Sequence, residues 1–475
     1  MRQGAGQLRR DGRAQPEDEA SAGGSEMSLL ILASSAVERC VKLGAEEAEA
    51  FIQSQRTLEV VLERAEIQNE RTKKHIGIGI RVIKEKRLGF SFTSNLTDEG
   101  IEQACRTALS LTDAALPNLD WVSLPNREEP SRTPEGIYDP EIAQMDGGGL
   151  LSLVIEAYDE VKGYDPRVEI DDGKFTAMVN QYAISNTHGV EALDRKTLIQ
   201  GYLTCIAKES GRASSMALEY DLSTLLKGFS PRRIGRAAAE KALASLNPRT
   251  AASFTGKVLL ESDPASSILI WPIISSVNAD NVQRGRSLWA GLLGREVASP
   301  ELTLVDNGLL PRGVASSTFD SEGTPRQETK VITKGKLEGF LHNSFTANKE
   351  GRRSTGNAYR EAYNTLPTVS SSNLIVEAGR KSLEELVLEV DRGIIVRRFS
   401  GNVRPESGEF SGIAKQACYI ENGEVKYPLG ETMISGNAFQ ALNNIIEVGR
   451  EVRPTLNMAY VPPMLIDKID IISKQ

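Results

Sequence analysis

A chain of 475 residues is too long for one compact core, so two or three domains are expected. With 40% hydrophobic and 25% charged residues, disorder cannot describe its bulk. A formal net charge of -8 argues against the broad basic surface that sequence-independent nucleic-acid binding needs, and no apolar run approaches the roughly 20 residues of a bilayer span, so neither direct DNA contact nor a membrane is expected.

Met1 to Glu26 is rich in Gly, Ala, Arg, Glu and Gln and almost devoid of large apolar residues. Such a segment cannot repay its ordering entropy, so residues 1–26 are expected to be a disordered extension, with Met27 as the alternative true start. Leu29, Leu30, Ala33, Val37, Cys40 and Val41 then predict a helix over about residues 28 to 43, ended by Gly44. Four short β runs follow, Ala50 to Ser54, Leu58 to Glu63, Ile76 to Ile83 and Leu88 to Phe92, and fit an antiparallel meander. Gly77-Ile78-Gly79 lacks the third glycine and the following helix of a dinucleotide fingerprint; close backbone packing explains both glycines better. Thr97-Asp98-Glu99 caps a second helix striped by Ile101, Cys105, Ala108 and Leu109, closing an N-terminal domain of residues 27–115. Residues 116–149, punctuated by prolines and Gly147-Gly148-Gly149, read as a linker across the surface.

A central domain, residues 150–250, opens with a helix from Leu150 to Lys162 and continues with β segments at Ala177 to Ser185, Val190 to Ile199, Gly201 to Lys208 and Ser215 to Tyr220. His188, in the turn Asn186 to Gly189, reads as a local hydrogen-bonding residue, and an Ala-rich helix follows Ser230-Pro231. The C-terminal domain, residues 251–475, begins with a strand at Lys257 to Leu260 and a buried helix at Ser266 to Val277, kinked by Pro272. A strand at Leu302 to Asp306 precedes a hairpin of Thr329 to Thr333 and Leu337 to His342 turning at Gly335, and Tyr419 to Val425 repeats that hairpin around Asn422-Gly423. Two similar hairpins point to one large sheet. Between them lie a long polar loop, Asn348 to Pro367, near a working surface, and a helix opened by the capping box at Ser382; Phe439 to Val448 reads as a last amphipathic helix. The fold class is α+β: an N-terminal α/β-meander part and a C-terminal domain with a large, mostly antiparallel sheet flanked by helices.

Cys40, Cys105, Cys205 and Cys418 are scattered, which suits reduced thiols in the core of a cytoplasmic protein. Only three histidines occur, His75, His188 and His342, and no two lie within a helical turn, so a zinc helix is absent. A dispersed site of His342, Cys418 and a carboxylate of residues 320–322 stays open. Gly408-Glu409-Phe410-Ser411-Gly412 has the wrong spacing for a nucleophile elbow, and a P-loop lysine is missing. Phe319-Asp320-Ser321-Glu322-Gly323-Thr324-Pro325 reads as a rigid acidic turn. Asp320 and Glu322 could act as a carboxylate pair, though satisfying backbone N–H groups is the plainer role.

That turn, followed by Lys334-Gly335-Lys336-Leu337-Glu338-Gly339-Phe340-Leu341, Ser407-Gly408-Glu409-Phe410 and Ile420-Glu421-Asn422-Gly423, resembles the TldD/PmbA family; Gly77-Ile78-Gly79-Ile80-Arg81-Val82-Ile83 with Leu88-Gly89-Phe90 looks like its N-terminal domain. The resemblance implies a heterodimeric zinc metallopeptidase acting on unfolded or short peptides. In the zinc-bearing branch, TldD, a His-Glu-x-x-x-His motif lies on the helix after the first strand of the C-terminal domain, and the corresponding stretch here, Glu261 to Val277, contains no histidine. The resemblance therefore implies the partner branch, PmbA or TldE: no metal ligand and no assigned catalytic residue in this chain, and zinc in a TldD-like paralogue. Asp320, Glu322, Gly323 and His342 become candidates for the peptide groove. The family's older link with DNA gyrase modulation finds no basic surface here to support it. The alternative reading is a stand-alone peptide-binding or regulatory protein without hydrolytic activity.

Overall fold

The structure, a computed structural model, describes residues 22–473. Helix α1 (Ala22–Lys42) starts earlier than its apolar stripe predicts and takes in residues 22–26; the rest of the expected extension lies outside the described residues. The meander forms as expected, though from two long strands and a short one, β1 (Glu47–Glu63), β2 (Glu66–Lys84) and β3 (Arg87–Thr93). The polar run from Asn69 to His75 does not interrupt β2, because exposed side chains leave the backbone ladder to β1 intact. Helix α2 (Asp98–Ala114) is capped by Thr97, whose side chain accepts from the Gly100 N–H at 3.2 Å.

The stretch expected as a surface linker is more ordered than that. It buries Trp121, Leu124 and Ile137 and holds α3 (Pro140–Gln144) and the first turn of α4 (Gly147–Tyr164). Its three glycines belong to a helix because the Asp146 side chain caps it, accepting from the Gly149 N–H at 2.8 Å, and because Leu150, Val154, Ala157 and Val161 bury the turns that follow.

β4 (Val168–Asn186) and β5 (Glu191–Glu209) follow, then β6 (Arg212–Ala213), β7 (Ala217–Ser223) and helix α5 (Pro231–Ala244). β4 pairs with β1, so one seven-stranded sheet in the order β3-β2-β1-β4-β5-β6, with β7 also on β5, runs through both N-terminal segments. Alternate residues of β1 face the helices: Ala48, Ala50 and Ile52 join the core against α1 and α2, while Leu58, Val60 and Leu62 join that of α4 and α5. Between them Glu49, Phe51 and Gln53 point to the opposite face, where the C-terminal part lies.

β8 (Phe254–Leu260) is central to a nine-stranded, mostly antiparallel sheet and pairs in parallel with Arg392–Val396. The two similar hairpins stand in different sheets. Glu328–Thr333 pairs with Leu304–Asn307 in a six-stranded sheet, whereas Cys418–Glu421 pairs with Arg392–Val396 in the nine-stranded one. Both turn as predicted, with positive φ at Lys334 and Gly335 and at Asn422 and Gly423. A turn signal sets the local reversal and carries no information about which strand lies alongside. The last predicted helix is cut to Ala438–Asn443, and Ile445–Val448 becomes a strand against Met464–Ser473. Buried residues three apart, Ile445 and Val448, match the helical period; in the strand an irregularity between Ile445 and Glu447 lets both face the core.

The helix after β8 spans 262–277 in three parts: Ser262–Ala265, a π-helical Ser266–Ile270, and Trp271–Val277. The widened turn precedes Pro272, whose ring removes a backbone donor. Ile268, Leu269, Ile270, Ile273 and Val277 bury it in the main core. All four cysteines are buried and free, and no described helix is long and apolar enough to cross a membrane.

Candidate functional site

The acidic turn is tied together by its first carboxylate. Asp320 Oδ1 accepts from the N–H groups of Glu322 (2.9 Å) and Thr324 (3.0 Å), and Oδ2 accepts from Ala358 N–H (2.9 Å). Gly323 closes the turn at φ 81°, where a Cβ would also stand 2.3 Å from Val190 Cγ1, so no other residue fits. Burial, then repulsion from Glu322, pushes Asp320 up to about 7 against the three donors that favour its ionised form.

Glu322 reaches out of the turn into the N-terminal sheet. Its Oε1 lies 3.0 Å from Arg81 Nη2, and its Oε2 accepts from the Ser344 N–H at 2.9 Å. Arg81 sits directly opposite Glu49 in the β1–β2 register and bonds its Oε2 at 2.6 Å; Arg360 takes the other Glu49 oxygen. Two guanidiniums and two carboxylates thus balance inside the protein, each side chain 0–3% exposed. Burial alone would raise Glu322, but Arg81 and Ser344 hold it below the usual carboxylate range. Four ions without water require this mutual pairing.

The same strand face receives the loop that carries Arg360. A Cβ at Gly79 would lie 2.0 Å from the Tyr363 carbonyl oxygen, and one at Gly77 would lie 2.3 Å from its ring. This is the close packing their spacing predicted. Arg360, Tyr363 and Glu49 were not foreseen as part of the site. The available signal was the alternation itself, which puts Gly77, Gly79 and Arg81 on one face of β2, a surface shaped for another backbone.

His342 lies two residues before Ser344 and is fully buried. Its Nε2 is 3.4 Å from Arg352 Nη1 and 3.9 Å from Glu350 Oε2, its Nδ1 has no partner, and burial lowers its pKa. Cys418 belongs to a separate core cluster and contacts Arg397 at 3.3 Å, so the dispersed set of His342, Cys418 and an acidic-turn carboxylate does not assemble. Among the described residues no three His, Cys, Asp or Glu side chains group as metal ligands. His188 makes a local bond only through its backbone N–H, to Asn186 Oδ1 at 2.9 Å; its ring reaches instead to β1, with Nε2 2.8 Å from Glu47 Oε1.

The family resemblance places a metal on the helix after β8, so that helix tests the fit. Its carboxylates are already engaged: Glu261 pairs with Arg397 at 3.1 Å, and Asp263 accepts from the Tyr220 hydroxyl at 2.5 Å and faces Arg453 at 3.3 Å. Ser266 and Ser267 bond Thr455 and the Asp263 carbonyl. The adjoining cavity of about 310 Å³ is lined by Lys241, Arg397 and Arg398 beside Asp263. With no nitrogen or thiolate donor and three cations on the wall, these residues do not fit zinc.

A second cavity, of about 340 Å³, opens beside the buried network. Arg81, Trp121, Phe345, Leu366 and Val369 line it, and Trp121 stacks on Phe345 with ring centroids 6.2 Å apart. Arg81 Nε has no partner there, which leaves a buried donor beside an apolar wall.

The helix-backed N-terminal sheet and the two-sheet C-terminal part are matched, segment by segment, by the domains of one metallopeptidase family. The chain belongs to the PmbA/TldD family: it matches the PmbA/TldA metallopeptidase domain 1 over residues 48–112, the central domain over 140–246 and the C-terminal domain over 253–473. It is 26% identical over 407 residues to the metalloprotease TldD homolog of Buchnera aphidicola subsp. Acyrthosiphon pisum, covering 83% of each chain. It is 25% identical over 458 residues to the metalloprotease PmbA homolog of Haemophilus influenzae, covering 94% of this chain and 96% of that one. Its fold matches the crystal structure of TldE from Thermococcus kodakarensis with a TM-score of 0.86 at 22% identity, over 93% of this chain and 99% of that one. Both branches match at nearly equal identity, so overall similarity does not separate them.

Proposed function

We propose that this chain is the metal-free subunit of a TldD/TldE-type heterodimeric zinc metallopeptidase, docking on a TldD-like paralogue and helping to enclose its groove for unfolded or short peptides in the cytoplasm. The observation that carries this reading is the helix after β8: it has no histidine, its carboxylates are held by Arg397, Tyr220 and Arg453, and the cavity it faces has no histidine or cysteine on its wall. The zinc belongs to the partner in this reading. Asp320, Glu322 and Gly323 shape the wall of the groove from within, since their side chains and backbone fix where Ser344 and Ala358 lie.

The test is chelator-sensitive hydrolysis of an unfolded peptide by this chain alone, by a zinc-motif paralogue alone, and by an equimolar mixture. Activity in the mixture only is expected. Chelator-sensitive activity in this chain alone would overturn the proposal. A second reading, a stand-alone peptide-binding protein, draws on the 340 Å³ cavity beside Trp121; metal-independent peptide binding by the isolated chain, with no gain of activity in the mixture, would favour it.

A further inference from the structure

The cavity of about 340 Å³ beside Trp121 has a charged floor and an apolar wall. Arg81, 3% exposed, lies at the floor, with its guanidinium carbon 5.8 Å from the centre of the Trp121 ring. Its Nη2 takes both carboxylates, at 2.6 Å from Glu49 and 3.0 Å from Glu322. Its Nη1 has no partner among the described residues and, unlike Nε, is not sealed from solvent. The free donor of a side chain that lines the cavity is therefore open to whatever enters it.

Charge decides what can meet that donor. Arg81 and Arg360 are already balanced by Glu49 and Glu322, and at the rim Asp280 is engaged by Arg284 and Arg286. An entering carboxylate would add an unbalanced buried anion, and an ammonium would face a guanidinium; each loses water without a matching counter-ion. A neutral oxygen accepts the bond and leaves the balance as it is, and hydrogen bonds to charged donors are the stronger kind.

The wall favours an aromatic ring. Leu88, Leu366 and Val369 enclose the space together with Trp121 and Phe345, whose rings stack with centroids 6.2 Å apart. The volume is at the lower end of the about 300–1,000 Å³ of small-molecule pockets, so it suits one large side chain. Beside Trp121 in the chain, Leu116, Leu119 and Val122 are 89%, 80% and 64% exposed. Large apolar side chains gathered in water mark a surface that a ligand covers.

We propose that this cavity takes the side chain of a tyrosine in an extended peptide. The ring lies against Trp121 and Phe345, its hydroxyl oxygen accepts from Arg81 Nη1, and the flanking residues run along Leu116, Leu119 and Val122. The inference rests on the reading of this chain as one that handles unfolded or short peptides, and it adds which side chain is selected.

The test titrates the full chain calorimetrically with N-acetylated, C-terminally amidated alanine pentapeptides carrying a central Tyr, Phe, Glu or Lys. The Tyr peptide is expected to bind, the Phe peptide about tenfold or more weakly for want of the acceptor, and the Glu and Lys peptides not measurably. Leu366→Trp, which fills the mouth from its exposed rim, should abolish binding of the Tyr peptide, while Leu388→Trp, at an exposed position elsewhere, should leave it unchanged. Phe345→Leu keeps the test valid if Leu366→Trp folds poorly: loss of one ring of the stack should weaken the Tyr peptide several-fold. Equal binding of the Tyr and Phe peptides, or binding that survives Leu366→Trp, would overturn the inference and leave the peptide reading standing. Binding of none of the peptides would overturn it as well, and the wider reading falls with it only if the equimolar mixture with the paralogue also fails to hydrolyse an unfolded peptide.

Discussion

Arg81 and Glu322 meet at 3.0 Å although 241 positions separate them, and both side chains are buried. Through this pair the N-terminal sheet holds the acidic turn of the C-terminal part. The turn in turn fixes Ser344 and Ala358. Its carboxylates thus act on their neighbours' positions.

Removing one member should therefore cost more than a surface ion pair. Arg81→Met leaves Glu49 and Glu322 buried with less countercharge, and a loss of about 3–5 kcal/mol is expected from denaturant unfolding. Glu322→Gln should cost a comparable amount. The double variant should lose less than the sum, because the two share one interaction. Strict additivity would show that the pair is not coupled.

The pH dependence follows from Asp320. Its folded pKa of about 7 lies above the ordinary value of about 3.9, so between these values the folded state keeps a proton that the unfolded state releases. This contribution to stability is full below about pH 4, falls as pH rises, and levels off above about pH 7. His342, with its pKa lowered by burial, acts oppositely, losing stability as pH falls through its unfolded value near 6.5. Asp320→Asn should remove only the first component, so denaturant midpoints of the variant should rise more steeply from pH 5 to 7 than those of the parent. Parallel profiles would remove Asp320 from the linkage.

Much of this was legible in the sequence where the signal is local. The caps at Thr97, Ser230 and Ser382, the positive-φ hairpin turns and the glycines of β2 all follow from short-range chemistry. The network was half legible: an acidic turn is visible in Asp320 to Gly323, but its partners Glu49, Arg81 and Arg360 come from distant segments, and pairing across 241 or 311 positions has no local signature. The assignment of both hairpins to one sheet failed for the same reason.

Packing against the β2 glycines can be tested directly. Gly79→Ala would press a methyl group onto the Tyr363 carbonyl, and backbone cannot yield as a side-chain tip can. A loss of about 1–3 kcal/mol or more is expected, with the loop carrying Arg360 becoming more open to proteolysis. Gly163→Ala, in open space on α4, is the control and should be neutral or stabilising by up to about 1 kcal/mol. Equal effects of the two would mean that Tyr363 does not rest on the strand.

The helix after β8 makes the last prediction. Asp263 is held by the Tyr220 hydroxyl and by Arg453, and Arg453 also faces Glu219 at 3.6 Å, so the helix is joined to the central segment by a hydrogen-bonded cluster. Tyr220→Phe removes one donor from a partly buried carboxylate and should cost about 1–3 kcal/mol in unfolding free energy. Zinc should not substitute for that bond, because the adjoining cavity offers no histidine or thiolate and the nearby carboxylates Glu261 and Asp263 are already engaged by Arg397, Tyr220 and Arg453. Calorimetry of the isolated chain should therefore show no stoichiometric zinc binding, and a chelator should leave its melting temperature unchanged, in the parent and in Tyr220→Phe alike. One equivalent of tightly bound zinc, with a melting temperature that drops on chelation, would mean that the cluster rearranges into a ligand set and that the metal-free assignment is wrong.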